Sequence, residues 1–147
     1  MAETTKPAKK LNYTYAVGRR KTAVARVRLY NKSAVPGTEG VQLMVNGKSA
    51  EIYFPGEVNK AAYRQPFTLT EMVSKMSASA VVTGGGPSSQ LGAVVHGLAR
   101  TLASFDRENF RHILKAAGLL TRDSRKRQRR QVGKGGKSRR AKQSPKR

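Results

Sequence analysis

The residues best equipped to do chemistry in this chain are cations, and they fall into groups. Arg19, Arg20 and Lys21 are consecutive, Arg26 and Arg28 alternate with apolar residues beside Tyr30, and residues 122–147 hold thirteen lysines and arginines against one acid. Guanidinium and ammonium rows with a neighbouring ring suit phosphate and base contacts. A second candidate is the run Gly84-Gly85-Gly86 followed by Pro87-Ser88-Ser89-Gln90. A glycine-rich turn that opens a helix gathers backbone N–H groups at the positive end of the helix dipole, where phosphate binds. Acid–base and metal chemistry lack the material. The eight acids are scattered, His96 and His112 are sixteen residues apart, and there is no cysteine. Neither a ligand cluster of metal spacing nor a thiolate can be assembled from these. Glu108, one helical turn before His112, reads as helix support. His112 reads as a solvated helix residue, and His96 as a hydrogen-bond partner for backbone or phosphate. The expectation is a protein that is not an enzyme, without cofactor, metal or small-molecule substrate.

The charge is unevenly placed. Of the net +22, residues 122–147 carry +12 and the preceding 121 residues +10. Such density repels itself and calls for a polyanion: nucleic acid, an anionic membrane or an acidic polysaccharide. No apolar run approaches the ~20 residues of a membrane span, and the first residues lack the apolar core of a signal peptide. Membrane insertion and secretion are not expected, and the absence of cysteine suits a reducing cytosol. Nucleic acid is the expected partner.

These groups need elements to hold them. Residues 1–12 read as a flexible leader, 13–121 as one globular α+β domain and 122–147 as an extended basic tail. "YTYAVGRRKTAVARVRLY" reads as two strand pieces or one strand broken at Gly18. Within it Ala23, Ala25, Val27 and Leu29 share one face, and Val24, Arg26, Arg28 and Tyr30 the other. Residues 31–40 read as a loop, Val41–Val45 as a strand ending in the Asn46-Gly47 turn, and the stretch after Ser49 as a short helix stopped before Pro55. Asn59–Arg64 reads as a helical turn that Pro66 interrupts. Leu69, Met72, Val73 and Met76 recur at helical spacing after a Thr68 or Thr70 cap. Ser77–Thr83 reads as a strand and the residues from Ser88–Gln90 onward as a long helix. In that helix Leu91, Val95, Leu98, Leu102 and Phe105 form the predicted sheet-facing stripe. Ala93, Gly97, Arg100 and Ser104 fall on the opposite side, where Gly97 asks for a close partner. A last helix is capped by Asp106, turns Phe110, Ile113 and Leu114 inward and stops at Gly118.

The tail has no periodicity. Its cations come in steps: Arg122, then Arg125, Lys126, Arg127, Arg129 and Arg130, then Lys134, Lys137, Arg139, Arg140 and Lys142, then Lys146 and Arg147. Glycines between the steps leave a narrow ribbon able to thread between RNA helices. Ordering such a ribbon costs ~1–2 kcal/mol per residue. Neutralising about ten phosphates offsets that and gives a log–log salt slope of roughly −7 to −9. The tail is therefore expected to be disordered until it is bound.

Collinear stretches identify a family. "GRRKTAVARVRLY", "VNGKSAEIYF", "RQPFTL", "GGGPSSQLGAVVHGLARTL", "LKAAGLLTRDSR" and the closing "KR" resemble the bacterial-type ninth protein of the small ribosomal subunit, from Tyr13 onward. The most specific signature is Gly84, Gly85 and Gly86 with Gln90, Ala93, Gly97 and Arg100; the second is "TRDSR" before a basic tail. The resemblance implies a small mixed β-sheet with helices packed on one face. That topology is like the second domain of the fifth small-subunit ribosomal protein, with a long disordered basic tail added. It implies a structural, cytoplasmic, ribosomal role: binding 16S rRNA in the subunit head beside the tenth and fourteenth proteins. Arg19, Arg20, Lys21, Arg26, Arg28, Gln90, Arg100, the Gly84–Gly86 loop and the tail cations through Lys142 would meet rRNA. Lys146 and Arg147 would meet the anticodon stem-loop of the P-site tRNA. The chain departs from the family pattern at "KRQRRQVGKGG", at "QSPKR", where an aromatic residue is usual before the final serine, and at Thr101, where a smaller residue is usual.

Two other classes have some footing. "TGGGPSSQLGA" resembles the phosphate loop of small-molecule kinases of the galactokinase–homoserine kinase type, but the carboxylates that hold Mg²⁺ in phosphoryl transfer have no counterpart. "SPKR" resembles the tail repeats of linker histones, which compact DNA, but here it stands once beside a glycine-rich folded domain.

Overall fold

Alternation of small apolar and larger polar side chains builds the centre of the molecule. The computed structural model describes residues 13–32, 35 and 42–129. Strands β1 (Thr14–Arg20) and β2 (Ala23–Tyr30) form a tight antiparallel hairpin, with Lys21 at φ +51° in the turn. The break lies at residues 21–22; Gly18, where the sequence suggests one, sits inside β1. Strand β3 (Leu43–Val45) turns through Asn46 and Gly47, both at positive φ, into β4 (Lys48–Ser49). With β5 (Ser77–Thr83) these make one mixed sheet in the order β1-β2-β5-β3-β4, in which only β3 and β5 run parallel. Ala23, Ala25, Val27 and Leu29 are buried on one face, as their alternation predicts, together with Ala78, Ala80 and Val82 of β5.

That face is covered by α3 (Pro87–Phe105), on which α2 (Glu57–Leu69) and α4 (Arg107–Ala116) pack in turn, with the short α1 (Ala50–Tyr53) beside β3 and β4. Helix α2 differs from the sequence reading. Pro66 lies inside it, and Leu69 is its last residue rather than part of a following helix. The lost N–H bond and ring clash of an internal proline cost ~3 kcal/mol. Burial of Phe67 on the same face offsets this by ~1.5–3 kcal/mol. The buried Tyr63 ring adds to it, less the cost of its hydroxyl, which is unpaired among the described residues. The helix ends because Glu71 adopts φ +56°, which lets the Met72 N–H bond the Phe67 carbonyl and the Glu71 N–H the Thr68 carbonyl. Met72 and Met76 therefore follow in turns, not in a helix. Helix α4 ends in the same motif with glycine, Gly118 at φ +73°, and begins at Asp106, whose carboxylate accepts the Asn109 N–H at 3.1 Å.

Helix α3 lies on β1 and β2 through its small residues. A methyl carbon at Gly18 would come 1.9 Å from the Ala93 carbonyl oxygen, and one at Gly97 would come 2.6 Å from Val27 Cγ2. The predicted sidedness is therefore reversed: Ala93 and Gly97 meet the sheet. The partner that Gly97 asks for is the chain's own strand. Leu98 and Leu102 are buried too, because α2 and α4 also pack on α3, while Phe105 at the end of the predicted stripe is exposed. Thr101 is fully buried, with its hydroxyl donating to the Gly97 and Leu98 carbonyls of its own helix.

Candidate nucleic-acid interface

Among the described residues one face of the sheet is uncovered, and side-chain parity decides what reaches it. Tyr15, Val17 and Arg19 of β1, Arg26, Arg28 and Tyr30 of β2, and Ser79 and Val81 of β5 share that side. Tyr15, Arg26, Arg28, Ser79 and Val81, with Tyr13, line a shallow groove of about 340 Å³. The Arg28 guanidinium lies over the Tyr13 ring at 5.1 Å, and Tyr13 meets Tyr30 edge-on at 6.0 Å. The Tyr30 hydroxyl is 3.2 Å from Ser79 Oγ. No acid stands among these residues, so the groove is positive, with two tyrosines among its six lining residues. Sequence reading found Arg26, Arg28 and Tyr30 in this row but missed Tyr13 and Tyr15. The hairpin register, which brings Tyr15 opposite Arg28, is the signal that finds them.

Arg20 faces the other way. Its stem packs over Gly92 of α3, where a methyl carbon would sit 3.2 Å from Arg20 Cγ. Its guanidinium pairs with Asp123 at 3.0 Å and donates to the Arg125 carbonyl at 2.8 Å. Asp123 also takes the Arg125 guanidinium at 2.8 Å, and Arg125 with Arg20 holds its carboxyl far below the usual carboxylate range. Leu119 and Leu120 pack on the core just before this clasp. The segment leaving α4 is thus tied back to the hairpin. Asp123 is the site residue that sequence reasoning passed over; one acid inside a run of cations was its signal.

The outer edge of β1 is closed by α3. The Arg19 N–H donates to His96 Nδ1 at 3.2 Å, and the Arg100 guanidinium donates to the Val17 carbonyl. Side chains thereby satisfy edge groups that a free strand would expose to pairing. His96 also bonds the Leu120 backbone. Its burial, then the nearby Arg100 charge, push its pKa below the ordinary histidine value. His112 is exposed and contacts the Glu108 carbonyl of its own helix. Arg122 joins Arg19, His96 and Arg100 along an open groove of about 490 Å³.

The glycine loop is local and tight. Gly84 and Gly85 take φ +73° and +66°, and a methyl carbon at Gly84 would lie 2.6 Å from the Thr22 carbonyl oxygen. The loop therefore nests against the hairpin turn beside Lys21. As a phosphate cradle it lacks two donors: Pro87 has no N–H, and the Ser89 N–H already bonds the Gly86 carbonyl. Gln90 is engaged at both ends, donating to the Gly84 carbonyl at 3.1 Å and accepting from the Tyr53 hydroxyl at 2.9 Å. Lys126, Arg127 and Arg129 are exposed. Arg130, Lys134, Lys137, Arg139, Arg140, Lys142, Lys146 and Arg147 lie outside the described residues, as does the leader at residues 1–12.

Comparison with known proteins gives the family. Residues 18–147 match the family model described as "Ribosomal protein S9/S16". The chain is 46% identical over 117 residues to the "Small ribosomal subunit protein uS9" of Saccharopolyspora erythraea, covering 80% of this chain and 71% of that one. It is 45% identical over 125 residues to the protein of the same name from Maridesulfovibrio salexigens, covering 85% and 90%. With that from Sorangium cellulosum it shares 46% over 123 residues, covering 84% and 88%.

Proposed function

This chain belongs to the ribosomal protein S9/S16 family, and we propose that it works as an RNA-clamping constituent of the small ribosomal subunit. Its role there is structural, in the ribosome of the bacterial cytoplasm, and not enzymatic. In this reading the domain of residues 13–121 sits on 16S rRNA in the subunit head, next to the tenth and fourteenth proteins. Arg19, Lys21, Arg26 and Arg28 supply contacts from the hairpin, and the cations after Asp123 supply the remainder. Arg20, Arg100 and Gln90 hold the domain and its exit segment in shape.

The observation that carries the reading is the clasp of Arg20 on Asp123 and the Arg125 carbonyl. It fixes the start of the +12 segment against the cationic hairpin, so that one polyanion can meet both. Residues 122–147 then run toward the P-site tRNA, where Lys146 and Arg147 reach the anticodon stem-loop phosphates. Two charges at the tip of a long basic ribbon add little to a contact made by many phosphates. Deleting Lys146 and Arg147 is therefore expected to leave co-sedimentation with small subunits at high salt intact. P-site tRNA should dissociate faster from such subunits. Unchanged tRNA dissociation would count against the tail's reach, and loss of co-sedimentation would count against the division of labour between domain and tip.

A further inference from the structure

The uncovered sheet face offers more than charge. Two of its cross-strand rows run Tyr15–Arg28–Ser79 and Val17–Arg26–Val81. The Cβ atoms of directly opposed residues in such rows are about 4.5–5.5 Å apart. Arg26 and Arg28, two residues apart on one strand, are separated by roughly 7 Å along it. Each guanidinium thus has apolar or aromatic surface at its side. Tyr15 is 48% exposed and Val81 45%, so this surface is presented. Tyr13 is held by Arg28 and Tyr30 into a preformed wall of the groove.

From this we infer that the face is a stacking platform for unpaired RNA nucleotides, with a base on Tyr15 and the flanking phosphates against Arg26 and Arg28. The inference rests on the ribosomal reading above and narrows its partner. An RNA duplex turns its phosphates outward and keeps its bases stacked within, so it would cover the arginines but leave Tyr15 and Val81 facing anions. An unpaired nucleotide brings one anion and one π-face together, and aromatic platforms take bases this way. A protein partner would have to bring acids to the centre and apolar cover to both sides.

The chain has five tyrosines and no tryptophan, so tyrosine emission reports directly, and three of the five are Tyr13, Tyr15 and Tyr30. The full chain is titrated with a single-stranded oligoadenylate and with a blunt RNA duplex of equal length, at low and high salt. The single strand is expected to quench tyrosine emission more than the duplex and to keep more of its affinity as salt rises. Tyr15→Ala should lower single-strand affinity by about fivefold to a hundredfold, and Tyr15→Phe, which keeps the ring, should restore it. If Tyr15→Ala binds single strands as wild type does, or the duplex quenches equally, the platform is wrong and the face belongs to duplex phosphates or a protein. If wild type shows no salt-dependent binding to either RNA, the ribosomal reading fails with it.

Discussion

Arg20 and Arg28 stand on the same hairpin and have opposite fates. Arg20 shares its face of β1 with Ala16 and Gly18, lies against α3 and is consumed by Asp123 and the Arg125 carbonyl. Arg28 points to the uncovered face, where its neighbours are rings and a second arginine. The alternation of a strand, not the residue type, decides which cation is tied into the protein and which is left on the open face. Arg100 repeats the lesson on a helix: it looks like a ligand for phosphate and is bonded to the Val17 carbonyl.

The contrast can be broken hardest at its base. Gly18→Val should drive β1 off α3, since even one carbon there meets the Ala93 carbonyl at 1.9 Å. We expect a loss of about 3 kcal/mol or more, read as a lowered urea midpoint or as failure to fold. Release of the clasp comes next. Arg20→Ala should leave the folded core in place but raise amide exchange and proteolysis around residues 119–125, whereas Arg28→Ala should do neither. Equal protection in the two variants would erase the distinction between them.

A smaller effect is expected from pH. His96 accepts the Arg19 N–H at Nδ1, and its pKa is lowered in the folded state. The unfolded chain then binds a proton more readily than the folded one between the ordinary value of ~6.5 and the lowered value. Stability should fall as pH drops through that window and level off below it, with the Arg100 and Arg122 charges reinforcing the trend. His96→Gln should flatten the slope in urea melts. The smallest effect belongs to Gly86→Ala, where nothing lies within 4 Å of the added carbon and φ is −114°. The urea midpoint should shift by no more than about 0.5 kcal/mol equivalent.

Much of this was legible in the residues. The alternation in β2, the Asn46-Gly47 turn, strand β5 and the Asp106 and Gly118 boundaries of α4 are written in local chemistry that nothing overrides. Two features were hidden by tertiary contacts. Helix α2 runs through Pro66 because Tyr63 and Phe67 are buried beside it, and it stops at a left-handed Glu71, a position where glycine would have announced the end. The facing of α3 was hidden because both its sides are apolar; only the approach of Gly18 to Gly97, across seventy-nine residues of sequence, orients it. In the candidate interface the cations were easy to see. Their division was not, because it depends on the register between β1 and β2 and on a single carboxylate, Asp123, near the far end of the chain.

The division is tested most directly by the salt dependence of binding to a 16S rRNA head fragment, comparing two double variants whose folding is checked first. Replacing Arg26 and Arg28 with glutamine should flatten the log–log salt slope by roughly 1.4–1.8, two phosphate contacts' worth, while replacing Arg20 and Arg100 should leave it where it was. A slope that falls equally in both, or only in the second, would contradict the assignment.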